Sequence, residues 1–221
     1  MKTVNERIQS RAAELSAIPF FNALKPRADL AKTFAFAEVL APWALTFQDL
    51  LRINTSHTKD PEIRKILEQH AREDGGHDEW LLEDLDTLFG SSVRDVRWLY
   101  GRQFAGAREE ALAIASEIFR IDDDRLRLVF VEALEAAAGE FFQRVERLAR
   151  ESGHDGRLKY FGNLHADAEE GHEMFEDEDR NEGILPEPLR EAALALVDRV
   201  FASFSRMAAV AHARLLEAEV A

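Results

Sequence analysis

Apolar residues recur at helical spacing along almost the whole chain, and this periodicity limits the fold more than any other feature. In one segment Ile63, Ile66 and Leu67 share a face, because residues three or four apart lie on the same side of an α-helix. No segment shows the strict apolar and polar alternation of a half-buried strand. The 221 residues include only 11 Gly and 6 Pro, which also favours helix. We therefore predict an all-α fold with seven or eight helices, in one domain over residues 1–221.

Helix start and stop signals divide the chain. Asp60 can cap a helix N-terminus, Pro61 suits the first helical position, and Gly90 ends the same pattern. Gly75 and Gly76 lie inside it, and each costs roughly 1 kcal/mol relative to alanine, which predicts a local distortion or a close approach by another group. The predicted helices cover about residues 3–17, 27–54 with Pro42 inside, 60–89, 91–120 as two shorter helices, 125–151, 157–181 and 186 to nearly the C-terminus.

Composition and charge exclude several classes of protein. The sequence has no cysteine, which excludes a disulfide scaffold, a thiolate zinc site and an iron–sulfur cluster. A formal net charge of −14 disfavours nucleic acid and an anionic membrane surface as partners. No apolar run approaches the ~20 residues of a transmembrane helix, and the N-terminus does not resemble a signal peptide. We expect a soluble, cytoplasmic protein.

Polar residues interrupt the apolar face of the segment that begins at Asp60. His70, Glu73, Asp74 and His77 fall at offsets of 0, 3, 4 and 7 residues, so a continuous helix would place all four on one face. This face also carries the apolar residues on either side of the band. The spacing therefore predicts a band of imidazoles and carboxylates inside the core.

A second band lies near residue 170, and single carboxylates interrupt two other apolar faces. His165, Glu169 and His172 fall at offsets of 0, 4 and 7 residues. Glu135 lies in the middle of the apolar stripe of another helix, and Glu38 is a weaker case of the same kind. An ionised carboxylate in such a place is costly unless it is paired or bound to a cation.

These residue types match a metal site. Carboxylate and imidazole ligands without sulfur suit iron or manganese and, less exclusively, zinc. The simpler interpretations are a hydrogen-bonded core histidine and a carboxylate paired with an arginine, with Arg144 or Arg147 available to Glu135. The remaining histidines, His57, His154 and His212, are expected at the surface. Two bands with seven-residue histidine spacing and an acid between favour the metal site over separate core histidines.

At these residues the chain resembles the heme-oxygenase-like diiron oxidases and oxygenases, which bind no heme. His165, Glu169 and His172 match the family's His-x3-Asp/Glu-x2-His motif, and the Ala-Leu-Glu-Ala segment around Glu135 resembles the helix that supplies a carboxylate. The resemblance runs from about Phe34 to the end of the chain. It implies the heme-oxygenase-like helical fold.

The upstream motif departs from the family pattern. Many members have Glu-x6-His, whereas the residue seven before His77 is His70, and the acid is displaced to Glu73. His70 is then an additional ligand, a replacement ligand or a neighbour of a ligand. Asp74 and Glu38 are candidates for an additional ligand or a neighbour of one. The ligand set that the resemblance implies is Glu73, His77, Glu135, His165, Glu169 and His172.

The resemblance also implies a chemistry. Two Fe(II) ions would use dioxygen to oxidise a small molecule of the amine, amino-acid or fatty-acid class, by N-oxygenation, C–C cleavage or desaturation. No catalytic residue beyond the metal ligands is expected, and a homodimer is plausible from the habits of the fold. The expected substrate walls are Trp43, Phe47, Trp98 and Tyr100.

Two alternatives stay open. Glu169 and His172 also match the Glu-x-x-His motif of ferritin-like diiron proteins, although Glu73 and His77 are one residue too far apart for a second copy. The bands could instead form a metal-free polar network in a binding or regulatory module. A heme oxygenase is disfavoured because it needs a histidine in its first helix, and the first histidine here is His57.

Overall fold

The structure is a computed structural model that describes residues 3–91, 94–169 and 185–220. Within these ranges every regular element is helical, so the all-α prediction is confirmed. No described helix combines the length and the apolar character needed to span a bilayer. The helices are α1 (Val4–Ser16), α2 (Pro19–Ala23), α3 (Leu30–Thr33), α4 (Ala37–Ser56), α5 (Pro61–Glu73), α6 (His77–Phe89), α7 (Val96–Leu99), a 3₁₀ turn (Arg102–Phe104), α8 (Ala105–Ile118), α9 (Arg125–Glu151), α10 (Asn163–Glu169) and α11 (Glu187–Val220).

Helix α9 is the centre of the molecule. Its first half is buried almost continuously, as expected of a helix surrounded by other helices. Helices α1, α10 and α11 pack against it, and α11 also contacts α8. On the other side α4 packs against α5, α6 and α8. This arrangement brings α4, α6, α9 and α10 together at one place in the core.

Local chemistry explains the helix starts. The Thr3 hydroxyl accepts a hydrogen bond from the Glu6 amide while the Glu6 carboxylate accepts from Thr3, forming a capping box at α1. The Asp60 carboxylate accepts the amides of Glu62 and Ile63, with Pro61 at the first position of α5. The sequence predicted this second start.

Two of the predicted long helices are interrupted. The helix expected over residues 27–54 is broken between α3 and α4, where Phe34 and Phe36 are both fully buried with rings 5.8 Å apart. The side chains of residues i and i+2 on a helix point in nearly opposite directions. Burying both phenylalanine rings in one cluster therefore requires the interruption between α3 and α4. The helix expected over residues 60–89 divides at Gly76, which has a φ of 97°. The two glycines therefore separate α5 from α6.

The helix expected to begin at Arg157 begins at Asn163 instead. The preceding segment is held in a non-helical turn by Asp84 of α6, whose carboxylate accepts three successive backbone amides, from residues 159, 160 and 161. Only glycine fits at Gly162, because a Cβ there would lie 2.1 Å from the carbonyl oxygen of Leu158. The far end of this predicted helix lies outside the described residues.

Candidate functional site

A small polar cavity of about 30 Å³ lies where α4, α6, α9 and α10 meet. Four buried ionisable side chains lie in its walls: Asp74 at the end of α5, His77 of α6, Glu135 of α9 and His165 of α10. All four are buried, with exposures of 3–8%. Its remaining lining residues are Trp43, Ala44, Phe47, Gln48, Asp78, Ala138, Phe142 and Tyr160.

The carboxylates and imidazoles lie within hydrogen-bonding distance of one another. Nε2 of His70 lies 2.9 Å from Oε1 of Glu135, and Nδ1 of His77 lies 2.9 Å from Oδ1 of Asp74. The same Nδ1 lies 3.1 Å from Nε2 of His165. One ring hydrogen on Nδ1 can serve only one of these two neighbours. Two nitrogens bound at roughly 2.0–2.1 Å to one ion would lie about 2.9–3.4 Å apart, so this separation also suits two ligands of one metal.

Aromatic rings surround the two histidines. The indole of Trp80 stacks on His77 with ring centroids 4.6 Å apart. The ring centroids of Phe142 and His165 are 3.9 Å apart. Tyr160 lies 5.0 Å from His165 on another side. Low-dielectric walls strengthen the electrostatic interactions between the groups inside them. The rings also fix the imidazole orientations by packing.

Two features of the backbone position the polar groups. The turn at Gly76 lets α5 end with Asp74 at the cavity, and Nε2 of Gln48 donates to the Asp74 main-chain oxygen at 2.6 Å and to its carboxylate. On the opposite side Asp84 holds the segment that carries Tyr160 next to α10. Burial raises the pKa of Asp84 above its ordinary value, although its three amide donors act in the opposite direction.

The structure brings together three of the six predicted ligands. His77, Glu135 and His165 line the cavity, with His70 beside Glu135 and Asp74 beside His77. The carboxylate of Glu73 contacts the amide of Gln69 instead, and Glu73 is not among the cavity-lining residues. In α10, the side chain of Glu169 lies outside the described part of the structure, and so does His172.

The predicted substrate walls separate into two groups. Trp43 and Phe47 line the cavity. Trp98 lies with Glu38 in a different, open groove between the start of α4 and helix α11. Tyr100 is 67% exposed and its ring lies under the guanidinium of Arg108. The cavity thus has two of its four predicted walls.

Besides Ala44 and Ala138, sequence reasoning missed four of the residues that line the cavity. Gln48 was detectable, since it is a polar residue one turn after the buried Ala44. Phe142 belongs to the apolar stripe of α9, but nothing in its spacing marks it as a neighbour of His165. Tyr160 and Asp78 carry no signal of their own, because their places depend on the non-helical turn and on the break at Gly76.

The residues that the structure describes contain no group of three or more His, Asp or Glu side chains spaced to hold a metal ion. They do contain the interacting imidazole and carboxylate pairs that surround the cavity. The sequence matches no protein-family model, and no curated protein matches it either.

Proposed function

We propose that this protein is a nonheme diiron oxidase or oxygenase with the heme-oxygenase-like arrangement of helices, and that it oxidises a small molecule. One observation supports the proposal most: three distant segments of the sequence supply Asp74 with His77, Glu135, and His165, and all four residues line one cavity in an otherwise apolar core. Buried ionisable groups are costly without partners or a cation. Their convergence is therefore expected of a site with a chemical role.

The donor atoms fit iron. Nitrogen and carboxylate oxygen without sulfur match nonheme iron sites, and carboxylates in a helical core can bridge two ions. We propose His77, Glu135, His165 and His70 as ligands in the described part of the chain, with Asp74 as a further ligand or a hydrogen-bond partner of His77. Glu169 and His172 complete the set by the motif that they share with the family. Bound iron would supply dioxygen activation for oxidising an amine, amino acid or fatty acid.

The chain's own residues prepare the site. Gln48 holds Asp74, and the stack of Trp80 on His77 fixes the plane of that imidazole. Phe142 and Tyr160 pack against the ring of His165. A dry cavity of fixed polar groups strengthens the interaction of these groups with charge inside it.

The test is an anaerobic equilibrium titration of metal-stripped protein with Fe(II), followed by addition of dioxygen. We expect saturation near two Fe(II) per chain and oxidation of the bound iron when dioxygen enters. His165→Ala should abolish binding at one or both sites, whereas His212→Ala, on α11 and outside the cavity, should bind as the unchanged protein does. Absence of saturable binding in the unchanged protein would overturn the proposal.

A second candidate, a metal-free polar network in a binding module, is favoured by one observation. Nε2 of His70 reaches Glu135 and Nδ1 of His77 reaches Asp74 at 2.9 Å, so each pair satisfies polar atoms without a metal. This candidate predicts that iron and chelators leave the thermal unfolding temperature unchanged. A rise with Fe(II) under anaerobic conditions would exclude it.

A further inference from the structure

An apolar cavity of about 50 Å³ adjoins the polar cavity. Trp43, Ala44, Phe142 and Tyr160 belong to the walls of both, together with Ala138. The rest of the apolar cavity is formed by side chains of α1, α2, α4, α9 and α11, and among the described lining residues the Tyr160 phenol is the only ionisable group. The two cavities thus form a polar space beside an apolar space, which is the shape of a site for a molecule with a polar end and an apolar body.

The charge of the two cavities is of one sign. Among the described residues that line them there is no Lys or Arg, whereas Asp74, Asp78 and Glu135 are acidic. Asp74 and Glu135 are engaged with imidazoles. Asp78 is different, because this half-buried carboxylate has no hydrogen-bond or ion-pair partner in the described part of the chain.

A second observation at the junction also points to a ligand. Trp43 is 9% exposed and lines both cavities, and its indole nitrogen is buried with no acceptor among the described residues. A buried donor without an acceptor is costly, so it is seldom left unless something else occupies the place. An oxygen on a bound molecule would satisfy this N–H.

We propose that Asp78 binds the ammonium group of the substrate, a short amine whose apolar body lies in the apolar cavity and carries one acceptor for Trp43. This inference rests on the proposed function, and it selects the amine from the three substrate classes. Asp78 is not one of the proposed iron ligands, so its negative charge would attract an ammonium group and repel a carboxylate whether or not iron is bound. The net charge of −14 additionally attracts cations to the protein.

The first test compares three ligands that share one chain and one ether oxygen: 3-methoxypropylamine, 3-methoxypropanol and 3-methoxypropanoate. Their affinities are measured by NMR shift titration, for the protein as purified and after anaerobic Fe(II) loading. We expect the amine to bind at least tenfold more tightly than the carboxylate in both states, with the alcohol between them. A carboxylate that binds as tightly as the amine in either state overturns the inference.

The second test removes only the charge of Asp78. Asp78→Asn should weaken binding of the amine at least fivefold and leave the alcohol unchanged. Glu79→Gln is the matched control, because Glu79 is also acidic and lies in the first turn of α6, but it is exposed and lines neither cavity. The role of Asp78 would be contradicted if Asp78→Asn weakened binding of the amine and the alcohol equally. It would also be contradicted if Glu79→Gln weakened amine binding as much as Asp78→Asn does.

A third pair of variants tests the apolar space. Ala208 of α11 lines the apolar cavity, whereas its neighbour Ala209 is exposed. Ala208→Leu should weaken amine and alcohol alike at least tenfold, and Ala209→Leu should change neither. If both variants leave binding unchanged, the ligand does not lie in this cavity.

Failure of this inference and failure of the proposed function give different results. Iron binding near two per chain without a preference for the amine rejects the role of Asp78 and retains the diiron enzyme. A preference for the amine without saturable iron binding rejects the diiron enzyme and shows an amine-binding protein. The Fe(II) titration and the ligand series are therefore made on the same preparation.

Discussion

Two residues one turn apart, His70 and Glu73, are the candidates for the proposed iron ligand next to Glu135. Nε2 of His70 lies 2.9 Å from Glu135, while Glu73 contacts Gln69. Both residues belong to α5, but only His70 is fully buried. We therefore propose His70, and not Glu73, as the iron ligand next to Glu135.

We predict that His70→Ala weakens Fe(II) binding at least tenfold, whereas Glu73→Gln changes it less than twofold. The reason is that removing a buried imidazole also leaves the Glu135 carboxylate without this partner, while Glu73 does not line the cavity. Anaerobic equilibrium titrations of the two variants measure both effects. If Glu73→Gln weakened Fe(II) binding more than His70→Ala does, Glu73 would be the ligand instead.

The sequence could predict individual residues of the site only where the chain follows a continuous helix. The offsets of 0, 3, 4 and 7 residues correctly placed His70, Asp74 and His77 on a buried face. They also placed Glu73 there, since the positions of 73 and 74 on a helix differ by only about 100°. The backbone turn after Asp74 decides between these two acids, and its exact course depends on packing that no local pattern contains.

Two glycines illustrate how helical elements are delimited. Gly76 has a φ of 97° at the start of α6, and Gly139 lies inside α9. A Cβ at either position would meet no atom within 4 Å. The effect of alanine at the two positions therefore depends on the backbone conformation and not on the available space.

We predict opposite effects of alanine at these positions. Gly76→Ala should lower the free energy of unfolding by about 1–2 kcal/mol, because an L-residue is strained at positive φ. Gly139→Ala should raise it by about 0.4–1 kcal/mol, because alanine restricts the unfolded chain and suits a helix. Urea unfolding followed by circular dichroism measures both. The two variants changing stability in the same direction would contradict this account.

The turn before α10 depends on Asp84, and the contribution of Asp84 to stability depends on pH. Burial raises the pKa of Asp84 in the folded protein above its ordinary value of 3.8, so the folded state holds the proton more tightly than the unfolded state. The stability from this proton is fully present below pH 3.8 and is lost as the pH rises through the folded pKa.

We predict that Asp84→Asn lowers the free energy of unfolding by about 1–3 kcal/mol, because an amide cannot serve three backbone N–H donors as a carboxyl group does. The difference between the two proteins should be largest at acid pH and should shrink as the pH rises. Urea unfolding at several pH values from 4 to 7 measures the difference. Growth of the difference with rising pH would contradict the direction of the pKa shift.

Elements with local signals were predicted well and elements fixed by distant contacts were not. The caps at Asp60 and the glycine at 90 gave correct ends, and α9 was expected over nearly its observed range. The interruption at Phe34 and the turn held by Asp84 were missed. The turn arises from contacts between residues far apart in sequence, and the interruption arises because two rings are buried in one cluster. Helical periodicity reports neither.

For the whole molecule, metal binding and folding should be linked. A ligand that binds only the folded state at 100 times its dissociation constant adds about 2.7 kcal/mol to the free energy of unfolding. For a chain of this size each kcal/mol raises the unfolding temperature by roughly 2–4 °C. We therefore predict a rise of about 5–10 °C when anaerobic Fe(II) reaches that excess.

Differential scanning calorimetry measures this rise. A chelator should reverse it, and the His165→Ala protein should show a smaller rise or none. An equal rise in His165→Ala would show that iron binds elsewhere on the chain.

The stack of Trp80 on His77 has a practical consequence. The sequence holds three tryptophans, of which Trp43 and Trp80 adjoin the candidate site and Trp98 lies in the outer groove. Two of the three indoles therefore report on that site, while Trp98 contributes emission from outside it. Occupancy by a paramagnetic ion should quench this light, so the protein needs no added dye to show when its centre is filled.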